Sequence, residues 1–219
     1  MNRGPIFDLF NPAPEHSIIK VETCLKDDNS ALIEGMQYTA DFISLEEELS
    51  LISMIDSQVW LGDLKRRVQH YGWKYDYRAR SLDYNMYLGM LPLWIKALAE
   101  RLVEQGMMSE EADQVIINEY RPGQGIANHV DCEPCFGDTI VSLSLGSACI
   151  MNFVEITSKE RRETVLKPRS VVVIQGDARY KWSHGIPSRL ADEIDGIRTN
   201  RKRRISMTFR KVINRIKKD

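Results

Sequence analysis

His129 and Asp131 stand two residues apart in Asn128-His129-Val130-Asp131. In an extended strand, residues at that spacing point to the same side. The pair can therefore offer an imidazole nitrogen and a carboxylate oxygen to one ion. His184 follows after several strand-like segments, and a β-sandwich can bring so distant a strand back onto the first. Two histidines and one carboxylate on a single face of a metal leave about three coordination positions open, as in non-haem Fe(II) oxygenases. Zinc sites are usually closed tetrahedra or three ligands plus water, so an open triad favours iron. Alone, His-x-Asp is a weak signal that arises by chance in many chains. The other histidines, His16 and His70, stand outside any such pattern and read as surface residues.

The second feature is Arg204-Ile205-Ser206-Met207-Thr208-Phe209-Arg210. Strand alternation places Arg204, Ser206, Thr208 and Arg210 on one face and the three apolar residues on the other. Two arginines inside a barrel are costly unless an anion satisfies them. A dicarboxylate such as 2-oxoglutarate does so, because guanidinium forks match carboxylates. By itself this strand reads equally as an edge strand with its polar face in water. An oxygenase triad, however, needs a co-substrate to supply electrons to O2, and that co-substrate needs an anchor.

The elements that would position these residues fall into two textures. Ser44 and Glu47 have capping-box spacing, which starts a helix with Leu45, Leu49 and Ile52 on its apolar face. A second helix is expected from about Pro92 to Gln105, with Trp94, Ile95, Leu98 and Leu102 as its stripe. Between them Tyr71 to Arg78 is dense in aromatics and reads as a hairpin or lid. From Gln114 on, short strands are expected over 114–120, 139–145, 148–153, 162–166, 170–175 and 204–212, separated by turn signals such as Pro122-Gly123 and Gly176-Asp177. Helices first and strands afterwards indicate an α+β chain with helices packed on one side of a sandwich or barrel.

The 219 residues suit one sizeable domain, and 43% hydrophobic with 28% charged residues imply a packed core. A net charge of −1 excludes a polycation, so any nucleic-acid affinity must come from local clusters. No apolar run reaches membrane-span length and no signal pattern opens the chain, so a cytoplasmic or otherwise intracellular protein without membrane contact is expected, monomeric by default. Four cysteines fit a reducing compartment rather than a disulfide scaffold. Cys132-x-x-Cys135 has no second pair at zinc-site spacing.

Taken in order, Asn118-Glu119-Tyr120, Pro122-Gly123-Gln124-Gly125-Ile126, His129-x-Asp131, His184-Gly185-Ile186 and Arg204 with Arg210 resemble the AlkB family of Fe(II)- and 2-oxoglutarate-dependent dioxygenases. The resemblance runs from about Phe42 to Val212. It includes Trp60, Arg66-Arg67, Tyr71-Gly72 and the Ile140 to Gly146 segment. The chain is similar in particular to the oxygenase domain of the homologue fused to a transfer-RNA methyltransferase, and to stand-alone bacterial members of similar length. The resemblance implies a double-stranded β-helix, or jelly roll, with supporting N-terminal helices and a substrate lid. It divides the chain into an arm (1–40), a dioxygenase domain (41–212) and a basic tail (213–219). It further implies His129, Asp131 and His184 as iron ligands, Asp131 thereby counting as catalytic, with Asn118 and Tyr120 touching 2-oxoglutarate. Arg204 would bind the distal carboxylate, and Arg210, Ser206 and Thr208 would lie at the keto-acid end. Ser206 departs from the asparagine common in the family. Glu133 matches a base-contacting acidic position.

What the resemblance implies for chemistry is Fe(II), 2-oxoglutarate and O2 giving succinate, CO2 and a hydroxylated substrate. On an N-methylated base in DNA or RNA the product loses formaldehyde. Hydroxylation of a modified wobble uridine in transfer RNA, or of a protein, are the alternatives. A base entering the barrel must leave its stack. Trp73, Tyr75, Tyr77 and Trp182 are the aromatics available to hold it, or to pack the core instead. Lys65, Arg66 and Arg67, and the C-terminal run Arg198, Arg201, Lys202, Arg203, Lys211, Arg215, Lys217 and Lys218, could meet phosphates or form solvated faces.

Overall fold

A computed structural model of the chain describes residues 33–62, 65–77 and 79–213. The elements in order are β1 (Met36–Thr39), α1 (Leu45–Asp56), β2 (Val68–Tyr71), α2 (Leu93–Glu104), β3 (Gln114–Tyr120), β4 (Ile126–His129), β5 (Phe136–Gly146), β6 (Cys149–Glu155), β7 (Arg161–Leu166), β8 (Val171–Ile174), α3 (Gly176–Tyr180), β9 (Trp182–Ile186), β10 (Ala191–Ile194), β11 (Ile197–Asn200) and β12 (Arg204–Val212). The large sheet has the order β1-β8-β5-β12-β3-β2 and the small one β4-β9-β6-β7, while β10-β11 form a separate hairpin. Non-consecutive neighbours with antiparallel pairing give the jelly roll that the resemblance implied.

Strand β12 is central in the large sheet, between β5 and β3. Its alternation divides it as expected. Ile205, Met207 and Phe209 are at most 1% exposed. Arg204, Ser206, Thr208 and Arg210 line the cavity between the sheets. Strand β3 is buried along its whole length, with Ile116, Asn118 and Tyr120 facing the same cavity. Within the arm expected over 1–40, Met36 to Thr39 pair with Ile174 to Val171 on the edge of the large sheet. Residues 1–32 and 214–219 lie outside the described residues, and with them His16, Cys24, Arg215, Lys217 and Lys218.

Helix α1 begins where the capping box places it. Ser44 Oγ accepts the Glu47 N–H at 3.1 Å and Glu47 Oε2 accepts the Ser44 N–H at 2.8 Å. Its inward face differs from the expected one. Leu45 and Leu49 are 59% and 61% exposed, whereas Glu48, Leu51 and Ile55 are buried. The polar anchor decides the rotation: Glu48 accepts the Gly146 N–H at 2.7 Å and the Arg169 Nη1 at 3.2 Å. Turning Leu45 inward would strand both donors. Helix α2 buries Ile95, Leu98, Ala99 and Leu102, close to its expected stripe. Arg101 joins the two helices through Glu47 at 2.6 Å.

Only the start of the aromatic segment belongs to a sheet, since Val68–Tyr71 pair with Asn118 to Val115. Beyond it the chain doubles back through isolated bridges, Trp73 to Tyr87 and Asp76 to Ser81, over the segment that reads as a hairpin or lid in sequence. His70 lies in β2, half-buried, rather than on the surface. Among the described residues no helix is long and apolar enough to cross a membrane.

Candidate metal and co-substrate site

Strands β4 and β9 bring the two histidines together. His129 and His184 are direct partners in their antiparallel ladder, so both side chains leave the same face. The strands can approach because residue 185 is glycine: a Cβ there would lie 2.5 Å from Asn128 Oδ1 and 2.8 Å from its backbone nitrogen. Asp131 is not held by this ladder. Strand β4 ends at His129, and Asp131 sits in the following loop, so strand alternation is not what aims it. Even so, one ligand atom from each of His129, Asp131 and His184 lies within 4.8 Å of the others.

Each member is prepared for a cation. His129 Nδ1 lies 2.9 Å from the Ala127 carbonyl, which assigns the proton to Nδ1 and leaves the Nε2 lone pair free. Burial, reinforced by the neighbouring His184, brings the His129 pKa down to about 4. Asp131 is 5% exposed. Burial pushes its carboxyl up, but Arg210, His184 and His129 together outweigh burial and hold it well below the usual carboxylate range. Arg210 Nε and Nη2 donate to Asp131 Oδ1 at 2.8 and 2.7 Å. Asp131 Oδ2 has no hydrogen-bond partner, although His184 Nε2 is 3.3 Å away. A buried carboxylate oxygen facing two imidazole nitrogens without a donor fits a ferrous ion, and the all-N/O donor set agrees with it.

The cavity beside the triad measures about 350 Å³. Arg204 is 3% exposed in its wall. Its Nη2 donates to Ser144 Oγ at 2.8 Å, while Nε and Nη1 have no partner. Two guanidiniums lie against the Tyr120 ring, Arg204 at 5.4 Å and Arg66 at 5.7 Å from its centre. Arg66 Nε also donates to Asn118 Oδ1 at 2.8 Å. A small dicarboxylate fits a cavity in which a buried guanidinium keeps two open donors. The expectation that both arginines need an external anion is corrected here, because Asp131 itself satisfies Arg210, which also donates to Gln114 Oε1 at 3.2 Å. Only Arg204 is left seeking one.

The remaining expected residues separate. Tyr75 and Tyr77 line the cavity, and burial raises both phenols. Trp73 does not line it. It is 3% exposed in the core, 4.8 Å from Tyr87 ring to ring. Trp182 is likewise core, with Arg162 over its ring, and Glu133 is exposed and outside the cavity wall. Arg67 and Arg203 are engaged by Glu119, and Arg203 also by Asp56. Arg201 is buried against Asp192 at 2.6 Å. These arginines hold the fold together rather than waiting for phosphate. Arg198 and Lys202 remain exposed. Cys132 and Cys135 pair as a disulfide across a four-residue turn, a local clasp and no scaffold, where the cysteine count implied free thiols. Cys149 is buried and free.

Sequence reasoning passed over Arg80, Ser144 and Gln114. Ser142 and Ser144 were legible in principle, since two hydroxyls alternate within the apolar run of β5. Arg80 and Gln114 carried no such signal.

A fold of two antiparallel sheets around a His-Asp-His cluster defines the class, and comparison with known proteins agrees. The family described as the 2OG-Fe(II) oxygenase superfamily matches residues 35–210. "Alkylated DNA repair protein ALKBH8 homolog" of Arabidopsis thaliana is 35% identical over 210 residues, covering 85% of this chain and 61% of that protein. "Uncharacterized protein L905" of Acanthamoeba polyphaga mimivirus is 34% identical over 83% of this chain and 86% of its own. The mouse protein "tRNA (carboxymethyluridine(34)-5-O)-methyltransferase ALKBH8" is 35% identical, and this chain spans 31% of its length. The solved structure of OsALKBH1 superposes with a TM-score of 0.64 over 83% of this chain and all of that one, at 16% identity, a likeness of fold. The chain belongs to the AlkB family of 2-oxoglutarate-dependent dioxygenases. The family implies Fe(II), 2-oxoglutarate and O2 as its reactants.

Proposed function

We propose that this enzyme oxidatively dealkylates N-alkylated bases in DNA or RNA, with His129, Asp131 and His184 holding iron and Arg204 anchoring 2-oxoglutarate. The observation that carries the reading is a triad with an unsatisfied carboxylate oxygen next to a buried arginine with two open donors. When bound, iron and 2-oxoglutarate supply the activation of O2 that hydroxylates a substrate C–H bond, releasing succinate and CO2. The chain's own residues bind, orient and shield. His129 presents Nε2 because Ala127 holds its other nitrogen. Arg210 neutralises Oδ1 of Asp131 and leaves Oδ2 as the ligand atom. Arg204 would take the distal carboxylate, with Ser144 fixing its fork and Tyr120 packed beside it. Arg66 holds Asn118 in place beside Tyr120. Ser206 and Thr208 supply hydroxyls along the cavity.

At the mouth, Tyr75 and Tyr77 offer flat rings to an unstacked base, and Arg66 and Arg80 offer positive charge to its phosphates. A base hydroxylated on its N-methyl carbon collapses to the free amine and formaldehyde. A second reading, hydroxylation of a modified transfer-RNA uridine, draws support from the name of the mouse relative, whereas the Arabidopsis relative's name speaks of alkylated DNA repair. Product mass separates the two on methylated DNA, methylated RNA and modified transfer RNA. Loss of a methylene mass with formaldehyde supports dealkylation, and gain of one oxygen supports the alternative. Succinate release independent of every nucleic acid would sink both.

A further inference from the structure

The three expected ligands are not held alike. The ladder of β4 and β9 ties His129 to His184. Asp131, beyond the end of β4, has no such tie. Its carboxylate is gripped by Arg210, but that contact fixes the side chain and not the loop that carries it. The loop is held from another direction. Arg179 in α3 donates through Nη1 to the Asp131 carbonyl at 2.9 Å, and its Nη2 lies 3.5 Å from the Cys132 carbonyl. Helix α3 runs into β9, which carries His184.

Arg179 is 2% exposed, yet no carboxylate oxygen among the described residues lies within ion-pair distance of it. Its guanidinium packs 5.1 Å from the Tyr180 ring, and Nε has no hydrogen-bond partner. Burying an unpaired cation is costly, and a neutral donor would satisfy a carbonyl as well. A long, rigid, always-charged fork behind a ligand loop is therefore more than packing requires.

We propose that Arg179 is a positioning residue, which fixes Asp131 relative to His184 by tying the Asp131–Cys132 backbone to the segment leading into β9. With it the three ligands form a closed triangle: β4 to β9 through the ladder, β9 to the Asp131 loop through Arg179, and the loop to β4 through the chain. The proposal rests on the ligand assignment above and adds a residue that touches neither iron nor co-substrate.

The test is a titration of the metal-free protein with Co(II), followed by its visible absorption, in a double-mutant cycle of Arg179→Met and Asp131→Ala. Melting of the metal-free proteins checks folding, and Leu98→Ala in buried α2 serves as an equally unstable control. Arg179→Met is expected to bind Co(II) about 10- to 100-fold more weakly, as loss of an outer-shell contact does, with an altered absorption envelope. In the Asp131→Ala background the same substitution should cost nothing further, and Arg179→Lys should restore part of the affinity. Leu98→Ala should melt lower but bind normally. The proposal is overturned if Arg179→Met binds Co(II) like the parent, or if its effect persists undiminished without Asp131. Should Arg179→Met fail to fold, Arg179→Lys is judged by the same two criteria. If Asp131→Ala alone leaves Co(II) affinity unchanged, the ligand assignment falls and this inference falls with it.

Discussion

Replacing Arg204 with methionine separates co-substrate binding from folding. In the free protein Arg204 is 3% exposed, makes one hydrogen bond, to Ser144, and leaves two donors unanswered. A buried charge without a partner costs stability, and a shape-matched apolar side chain in its place is often neutral or stabilising. The metal-free Arg204→Met protein should therefore melt at or above the parent temperature. Removing one partner of a buried, hydrogen-bonded charge pair weakens binding by roughly 2–5 kcal/mol, about 30- to several-thousand-fold in the dissociation constant. The assay is thermal melting with Mn(II), with and without 2-oxoglutarate. At about 100 times its dissociation constant a ligand adds ~2.7 kcal/mol, roughly 5–11 °C for a chain of this size. The parent should show that rise and Arg204→Met at most about a third of it, while both keep the smaller rise due to Mn(II) alone. A parent-like 2-oxoglutarate shift in Arg204→Met would refute the assignment of the two open donors to the co-substrate.

Other substitutions read other parts of the account. Asp131→Ala should abolish Fe(II)-dependent succinate release and leave Arg210 buried without its anion, so lower thermal stability should accompany it in a melting curve. Tyr77→Ala should raise KM for a methylated oligonucleotide by about 1–3 kcal/mol equivalent, the usual worth of one stacked base, with little change in uncoupled 2-oxoglutarate turnover; equal loss of both would mark Tyr77 as structural. Glu119, held by Arg67 and then by Arg203 against burial, has its pKa lowered from 4.5 to about 2. A depressed carboxylate stabilises the fold above its unfolded value, and that contribution fades as pH falls from about 4.5 to about 2, by up to about 3 kcal/mol. Urea denaturation of Glu119→Gln between these pH values should show a flatter stability profile than the parent.

Much of the fold and part of the site were legible before any coordinates. The capping box at Ser44 and the stripe of α2 are local signals, and both elements start where those signals lie. Strand β12 was legible because strict alternation over the seven residues Arg204–Arg210 has one reading once a buried barrel is assumed. The inward face of α1 was not, since Glu48 is buried by contacts with Gly146 and Arg169, far away in the chain. The short strands β1, β2 and β4 carry too few residues for a periodic pattern and exist through their partners. Trp73 and Tyr75 look alike in sequence, yet one lies in the core and the other in the cavity wall. Likewise a run of C-terminal arginines resembles a phosphate-binding patch until Asp192, Glu119 and Asp56 are found against Arg201 and Arg203. The sequence order of charges gives no access to such long-range pairing.

The most direct test is anomalous diffraction from crystals grown anaerobically with Mn(II) and 2-oxoglutarate. One strong peak is expected about 2.0–2.3 Å from His129 Nε2, His184 Nε2 and Asp131 Oδ2, with a diacid reaching from that ion to the Arg204 guanidinium. A manganese ion bound elsewhere, or a diacid whose far carboxylate ignores Arg204, would contradict it.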